Sequence, residues 1–178
     1  KMNFIYEHKI PKDRIAVLIG PKGATRKKIE KKLHIQLTID SAEGDVKITG
    51  DDSLNLRTAE NIIKAIGRGI NPEKALDLLQ DDVVLETIDM TDYTNDSKKR
   101  LIVVRGRIIG TEGKVRTYIE DLTGTHISIY GKTITIVGPY ETTSLARKAI
   151  ETLHTGSSHA TVYAWLEKQT KEMRKSFY

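Results

Sequence analysis

The sequence predicts an α+β protein made of two copies of one β-α-α-β-β-α unit. Each copy is a three-stranded sheet packed by helices, and a C-terminal helix follows. Three observations lead there. A glycine-bracketed loop, Ile19-Gly20-Pro21-Lys22-Gly23, returns ninety residues later as Ile109-Gly110-Thr111-Glu112-Gly113. Beyond the loop the matching continues: Arg26 with Arg116, Ile29 with Ile119, Glu30 with Glu120, Leu37 and Ile39 with Ile127 and Ile129. Finally, 178 residues are enough for one ordinary domain or two small ones, and 38% hydrophobic with 30% charged suits a folded protein with modest cores. The expected division is 1–80, a first unit with a junction helix, and 81–178, a second unit with the C-terminal helix.

In the first copy, Asn3–Ile10 reads as a strand, and Pro11 opens a short helix through Leu18, where proline is best tolerated. Ala24–Leu33 is helical, with Lys and Glu outward and Ile29 and Leu33 inward. Ile35, Leu37 and Ile39 alternate with polar residues and predict a strand. A loop at Asp40–Asp45 leads to a short strand, Val46–Ile48, ended by Gly50. Ser53 is the expected cap of a helix whose Leu56, Ala59, Ile62, Ile63 and Ile66 keep helical spacing until Gly67 and Gly69. Asn71-Pro72-Glu73 then starts a junction helix through Leu79, with Leu76 and Leu79 expected to seal the junction. The second copy repeats the order at Val83–Met90, Ser97–Ile109, Lys114–Thr123, His126–Tyr130, Thr133–Val137 and Thr143–Leu153. The last helix, His159–Ser176, shows an inward stripe of Val162, Leu166 and Met173 with Trp165 beside it.

Charge is arranged in blocks. Residues 1–70 hold 14 Lys/Arg against 9 acids, residues 71–96 one against 8, and residues 97–178 14 against 7. Two basic blocks flanking an acidic waist point to a polyanionic partner, although solvated helix faces would give the same counts. The loops sharpen the choice. A Gly-x-x-Gly between two helices turns the backbone tightly and leaves no side chain to hold a ligand away. The helix start behind it offers N–H groups and a partial positive charge to a phosphate. Gly20, Pro21, Lys22 and Gly23, with Arg26, Lys27 and Lys28, form the candidate phosphate side of the first unit. Val17, Ile19, Leu37 and Ile39 form its expected apolar floor. In the second unit the corresponding set is Gly110, Thr111, Glu112, Gly113, Lys114 and Arg116, with Arg105 and Arg107 behind them and Ile109, Ile127 and Ile129 as floor. Glu112 is the discordant member, because a carboxylate near a phosphate is repulsive.

This arrangement resembles the KH domain in its eukaryotic-type order, whose signature Ile-Gly-x-x-Gly stands at Ile19–Gly23 and Ile109–Gly113. KH loops clamp about four nucleotides of a single strand. The runs IGPKG, INPEKALDLL, IGTEGKVRTYIEDLTGTHISIYG and SSHATVYAWLEK are similar to archaeal members of the Partner-of-Nob (Dim-two) family. The resemblance implies small-ribosomal-subunit maturation and binding of single-stranded RNA at the 3′ end of the small-subunit rRNA. It further implies contact with the rRNA-processing endonuclease and with the alpha subunit of translation initiation factor two.

Other classes find little support. No run nears the roughly 20 apolar residues of a membrane span, and no signal-peptide core is present. Zero Cys excludes disulfides and thiolate sites, and a cytoplasmic location is expected. The chain opens Lys1-Met2, so a segment upstream is expected. The acidic waist (Asp77, Asp81, Asp82, Glu86, Asp89, Asp92, Asp96) lacks EF-hand spacing and reads as solvated linker and strand edge. The five His residues lack ligand spacing, so neither metal nor cofactor is expected. There is no P-loop, dinucleotide fingerprint or nucleophile–base pair, so the protein is not expected to be an enzyme. Tyr118, Tyr130 and Tyr140 are expected to be partly buried packing residues. Two other readings stay open at this point: a generic binder of single-stranded message or DNA, and a protein scaffold with degenerate KH folds that docks through its last helix and acidic waist.

Overall fold

The computed structural model describes residues 3–177, so the Lys1-Met2 pair lies outside the described residues. Tertiary contacts divide the chain between Asp81 and Asp82. The first unit runs β1 (Phe4–Lys9), α1 (Lys12–Ile19), a 3₁₀ turn (Pro21–Gly23), α2 (Ala24–Leu33), β2 (Gln36–Asp40), β3 (Asp45–Gly50) and α3 (Ser53–Gly67). β3 lies between β1 and β2 and is antiparallel to both, with Ile48 opposite Tyr6 and Leu37. Strand alternation sends Val46 and Ile48 to one face, where both are buried, and Lys47 to the other. The helices cover the apolar face: Ile15 and Leu18, Ile29 and Leu33, and Leu56, Ala59, Ile62, Ile63 and Ile66 are all buried. Truncating a fully buried isoleucine such as Ile29 or Ile62 to alanine would cost roughly 2–5 kcal/mol.

Three local expectations are corrected. The cap of α3 is Asp52, whose carboxylate accepts the N–H groups of Leu54 at 2.8 Å and Asn55 at 3.4 Å. Asp52 holds the extended backbone a cap needs, so Ser53 becomes the first helical residue. Pro11 stands at the cap of α1, one position ahead of the helix. The junction segment forms one turn, α4 (Pro72–Ala75), capped by the Asn71 side chain, and then tightens into a 3₁₀ turn (Leu76–Leu79). That change of pitch rotates Ala75 and Leu78 inward, so they are the buried residues in place of Leu76 and Leu79.

The second unit runs β4 (Val83–Asp89), α5 (Thr91–Thr94), α6 (Lys98–Ile109), a 3₁₀ turn (Thr111–Gly113), α7 (Lys114–Thr123), β5 (His126–Tyr130), β6 (Thr133–Pro139), α8 (Tyr140–His154) and α9 (His159–Ser176). Its sheet order, β4-β6-β5, repeats that of the first unit. Ile88, Val104, Ile108, Ile119, Ile127, Ile134, Ile136 and Ile150 share one core with Val162 and Leu166 of α9. The inward stripe of α9 ends on buried Thr170, while Met173 is half-buried. The single turn α5 is unanticipated; Asp89 organises it by accepting the Thr91 N–H and hydroxyl at 2.9 and 2.7 Å. α8 begins three residues before its expected start. Pro139 caps it, the Pro139 carbonyl accepts the Thr143 hydroxyl, and the Tyr140 N–H donates to Asp82. Tyr140 therefore occupies the first turn, ahead of the buried stripe, and is 71% exposed rather than partly buried. Tyr118 and Tyr130 are half-buried.

Candidate nucleic-acid interface

The two glycine loops fold alike. Gly20 has φ 73° and ψ 173°, Lys22 φ 52° and ψ 28°, and Gly23 φ 74° and ψ 17°. Gly110, Glu112 and Gly113 sit at 73° and 174°, 55° and 28°, and 73° and 12°. The two glycines of each loop serve different ends. A Cβ on Gly20 would lie 2.3 Å from Thr25 Oγ1 and 2.9 Å from its backbone N; on Gly110 it would lie 2.3 Å from Val115 Cγ2 and 2.8 Å from its N. The first glycine is thus required by the fold. A Cβ on Gly23 would meet only Lys27 Cε at 3.8 Å, and one on Gly113 only Arg116 Nη2 at 4.0 Å. The second glycine faces open space, where a ligand backbone can reach it. Neither α2 nor α7 has a side-chain cap, so the amino ends of both helices face the loop unblocked.

Around the first loop, Pro21, Lys22, Lys27 and Lys28 are exposed, while Val17, Ile19, Gly20, Gly23, Arg26 and Ile39 are half-buried. Arg26 Nε donates to Glu30 Oε1 at 3.3 Å, and that same oxygen accepts the Leu37 N–H at 2.8 Å. Glu30 therefore ties α2 to β2. Glu120 repeats the tie to the Ile127 N–H at 2.8 Å. Arg116, by contrast, makes no such bond, and its Nε is buried without a partner. Thr111, Glu112 and Lys114 are exposed, and Glu112 and Lys114 pair loosely at 3.7 Å. Arg105, Ile109, Gly110, Gly113, Arg116 and Ile129 are half-buried around them.

Three expected site residues are corrected. Leu37 is 0% exposed and Ile127 3%, so they belong to the core and back the floor, leaving Ile39 and Ile129 at its surface. Arg107 does not face the loop. Its Nε donates to the Leu153 carbonyl at 3.1 Å and its Nη2 to Ser157 at 2.5 Å, stapling α6 to the end of α8. Arg14 does the same for α3, donating to the carbonyls of Ile66 at 2.8 Å and Ile70 at 3.2 Å. The two arginines sit three residues apart in the aligned copies, one helical turn, so residue matching does not reveal their shared role.

Gly106 escaped the sequence reading. It lies inside α6, is exposed, and a Cβ there would meet nothing within 4 Å. A glycine within a helix costs about 1 kcal/mol against alanine, and neither packing nor backbone strain requires this one. That unexplained glycine was the available signal. Tyr118 and Tyr163 stack with centroids 4.0 Å apart, and the Tyr118 hydroxyl donates to Glu167, fixing α9 to α7. That bond and burial push the Tyr118 phenol up to about 12. The aromatic pair is thus a packing device. In the acidic waist, Glu86 is engaged by Arg147 at 2.6 Å, and no metal-holding cluster is present among the described residues.

Two β-α-α-β-β-α units with Gly-x-x-Gly turns define a tandem KH-domain protein of the eukaryotic type. The family models agree: one described as a KH domain matches residues 5–65, and one described as a eukaryotic-type KH domain (KH-domain type I), for the second PNO1 domain, matches residues 84–171. A KH domain-containing protein of Methanocaldococcus jannaschii is 48% identical over 174 residues, covering 94% of this chain and 75% of the relative. The pre-rRNA-processing protein PNO1 of Coccidioides immitis is 30% identical over 82% of this chain, which spans 58% of that longer relative. Among solved structures, a chain of the a/eIF2alpha–aDim2p–rRNA complex from Pyrococcus horikoshii matches with a TM-score of 0.89 at 45% identity, covering 96% of each chain. The chain belongs to the archaeal Dim2/PNO1 family.

Proposed function

We propose that this protein binds single-stranded RNA at the 3′ end region of the small-subunit rRNA through its two Gly-x-x-Gly loops, and serves small-subunit maturation as a binding factor rather than an enzyme. The observation that carries this reading is the open space beside Gly23 and Gly113, each at the uncapped start of a helix. A phosphate there accepts backbone N–H groups in the favourable field of the helix end, and Lys22, Lys27 and Lys28 add charge in the first unit. Ile19 and Ile39, with Ile109 and Ile129 in the second unit, offer apolar surface to the bases. Gly106 lets the strand approach α6 closely. The rRNA in the Pyrococcus complex supports the ligand, and the presence of a/eIF2alpha in the same complex supports the initiation-factor alpha subunit as a protein partner. The processing endonuclease is a further proposed partner, on the strength of the PNO1 relatives' role in pre-rRNA processing.

Binding of a ten-nucleotide strand carrying the rRNA 3′-end sequence tests the reading. With about six phosphates neutralised, the log–log salt slope should lie near −4. A slope near zero, or equal affinity for a scrambled strand, would defeat the rRNA assignment.

A further inference from the structure

The amino-terminal half of α6, at the far end of the helix from its glycine loop, carries a combination of groups that its own fold does not require. Lys98, Lys99 and Arg100 fill the first turn, and no acid stands there. Cations are disfavoured at a helix amino end, where the dipole is positive. Among the described residues none of the three has a carboxylate partner. The next residues outward, Ile102 and Val103, are 71% and 61% exposed.

Beside them lies a recess of 640 Å³, with Lys99 and Arg100 at its rim, Val103 and Val104 along one side and His154 on another. His154 is only 7% exposed, and both its ring nitrogens are buried without a hydrogen-bond partner. Its ring neighbour Tyr93 meets it edge-on at 4.0 Å, and the Tyr93 hydroxyl is committed to Glu151. At this recess an unpartnered buried imidazole from α8 meets an exposed valine and two misplaced cations from α6, three broken local rules together, and such breaks concentrate at binding sites.

We infer that this recess and the adjoining face of α6 bind an acidic, amphipathic polypeptide segment of a protein partner. An apolar side chain enters against Val103, Val104 and the His154 ring, while flanking carboxylates meet Lys99 and Arg100. Charge complementarity selects an acidic occupant. The lining selects polypeptide over nucleic acid: bases stack on flat aromatic or guanidinium faces. Here the aromatic ring is covered edge-on, and the Arg107 guanidinium is spent on the Leu153 and Ser157 carbonyls. The recess is independent of the proposed RNA loops.

NMR titration of the isotopically labelled full chain tests this. The probes are a twelve-residue peptide of alternating Glu-Asp pairs and leucines, the same peptide with serines for leucines, and a ten-nucleotide poly(U). The leucine peptide should shift the amides of 98–104 and the His154 ring signals saturably. The Lys99→Glu/Arg100→Glu variant should bind it at least tenfold more weakly while binding poly(U) as before. Both residues are exposed, so the fold should persist, as circular dichroism would verify. Equal binding of the serine peptide, shifts at 98–104 caused by poly(U) instead, or no shift with the leucine peptide would each overturn the inference.

Discussion

The two glycine loops share a backbone to within a few degrees yet differ sharply in charge. Residues 21–33 carry six Lys/Arg to one acid, whereas residues 111–123 carry two to three acids. Lys22 and Glu112 occupy the same left-handed position, at φ 52° and 55°. The geometry that admits a phosphate is therefore separable from the charge that attracts it. The second unit keeps the first and relaxes the second, leaving Arg116 Nε without a hydrogen-bond partner where Arg26 Nε is held by Glu30. The first unit should supply most of the long-range attraction, and the second should act through short-range fit.

The largest effect should come from the glycines that both units need for folding. Gly20→Ala and Gly110→Ala force a Cβ against backbone in a region only glycine occupies comfortably, and each should cost about 4 kcal/mol in denaturant unfolding. A loss below about 1 kcal/mol in either would show that the turn relaxes and that the shared geometry is not fixed. Next, Gly23→Asp places a carboxylate in the open space, at a left-handed φ of 74° that Asp adopts at a modest cost in strain. It should weaken binding of the rRNA strand by about 3 kcal/mol, against about 1 kcal/mol for Gly113→Asp. Equal losses would remove the distinction between the units. Loss at Gly113 alone would reverse it.

Arg14→Ala and Arg107→Ala should each destabilise the protein by about 2 kcal/mol, since each frees buried carbonyls at a helix end. Neither should alter the salt slope of RNA binding. A slope change in Arg107→Ala would return that side chain to the interface. Converting Glu112 to lysine should strengthen RNA binding about fivefold, near 1 kcal/mol, and steepen the slope by about 0.7 if one further phosphate is engaged. No gain would mean that charge at this loop position does not matter. The smallest effect lies at the ends of α2 and α7, where His34 and Gly124 hold the same left-handed conformation. His34→Gly should stabilise the protein by about 0.5–1 kcal/mol in thermal unfolding, and a loss would show that the imidazole makes a compensating contact.

How much of this could be read from the chain follows from what repetition encodes. The apolar positions that line up at Ile29 and Ile119, or Leu37 and Ile127, carry the strand and helix order, because burial of one face repeats with the fold. The same positions misled the site reading, since Leu37 and Ile127 repeat as core residues and are sealed from any strand. Long-range polar contacts left weaker traces. Arg107 looked like a loop cation because its partners, the carbonyls of Leu153 and Ser157, are backbone groups with no sequence signature. Asp52 and Ser53 are both good caps, and only the backbone angle chose between them. The junction leucines depended on pitch, which a helical period cannot supply once the helix tightens.

One carboxylate oxygen in the first unit has a consequence for the rate of recognition. Glu30 Oε1 holds both Arg26 of α2 and the backbone of β2. It works as a strut that sets the gap before any strand arrives. A slot of fixed gauge asks for no ordering at the moment of contact, so encounter rather than rearrangement should limit association. The same tie should make recognition selective by size: a base that needs α2 and β2 to part would have to break the Glu30 bond to Leu37.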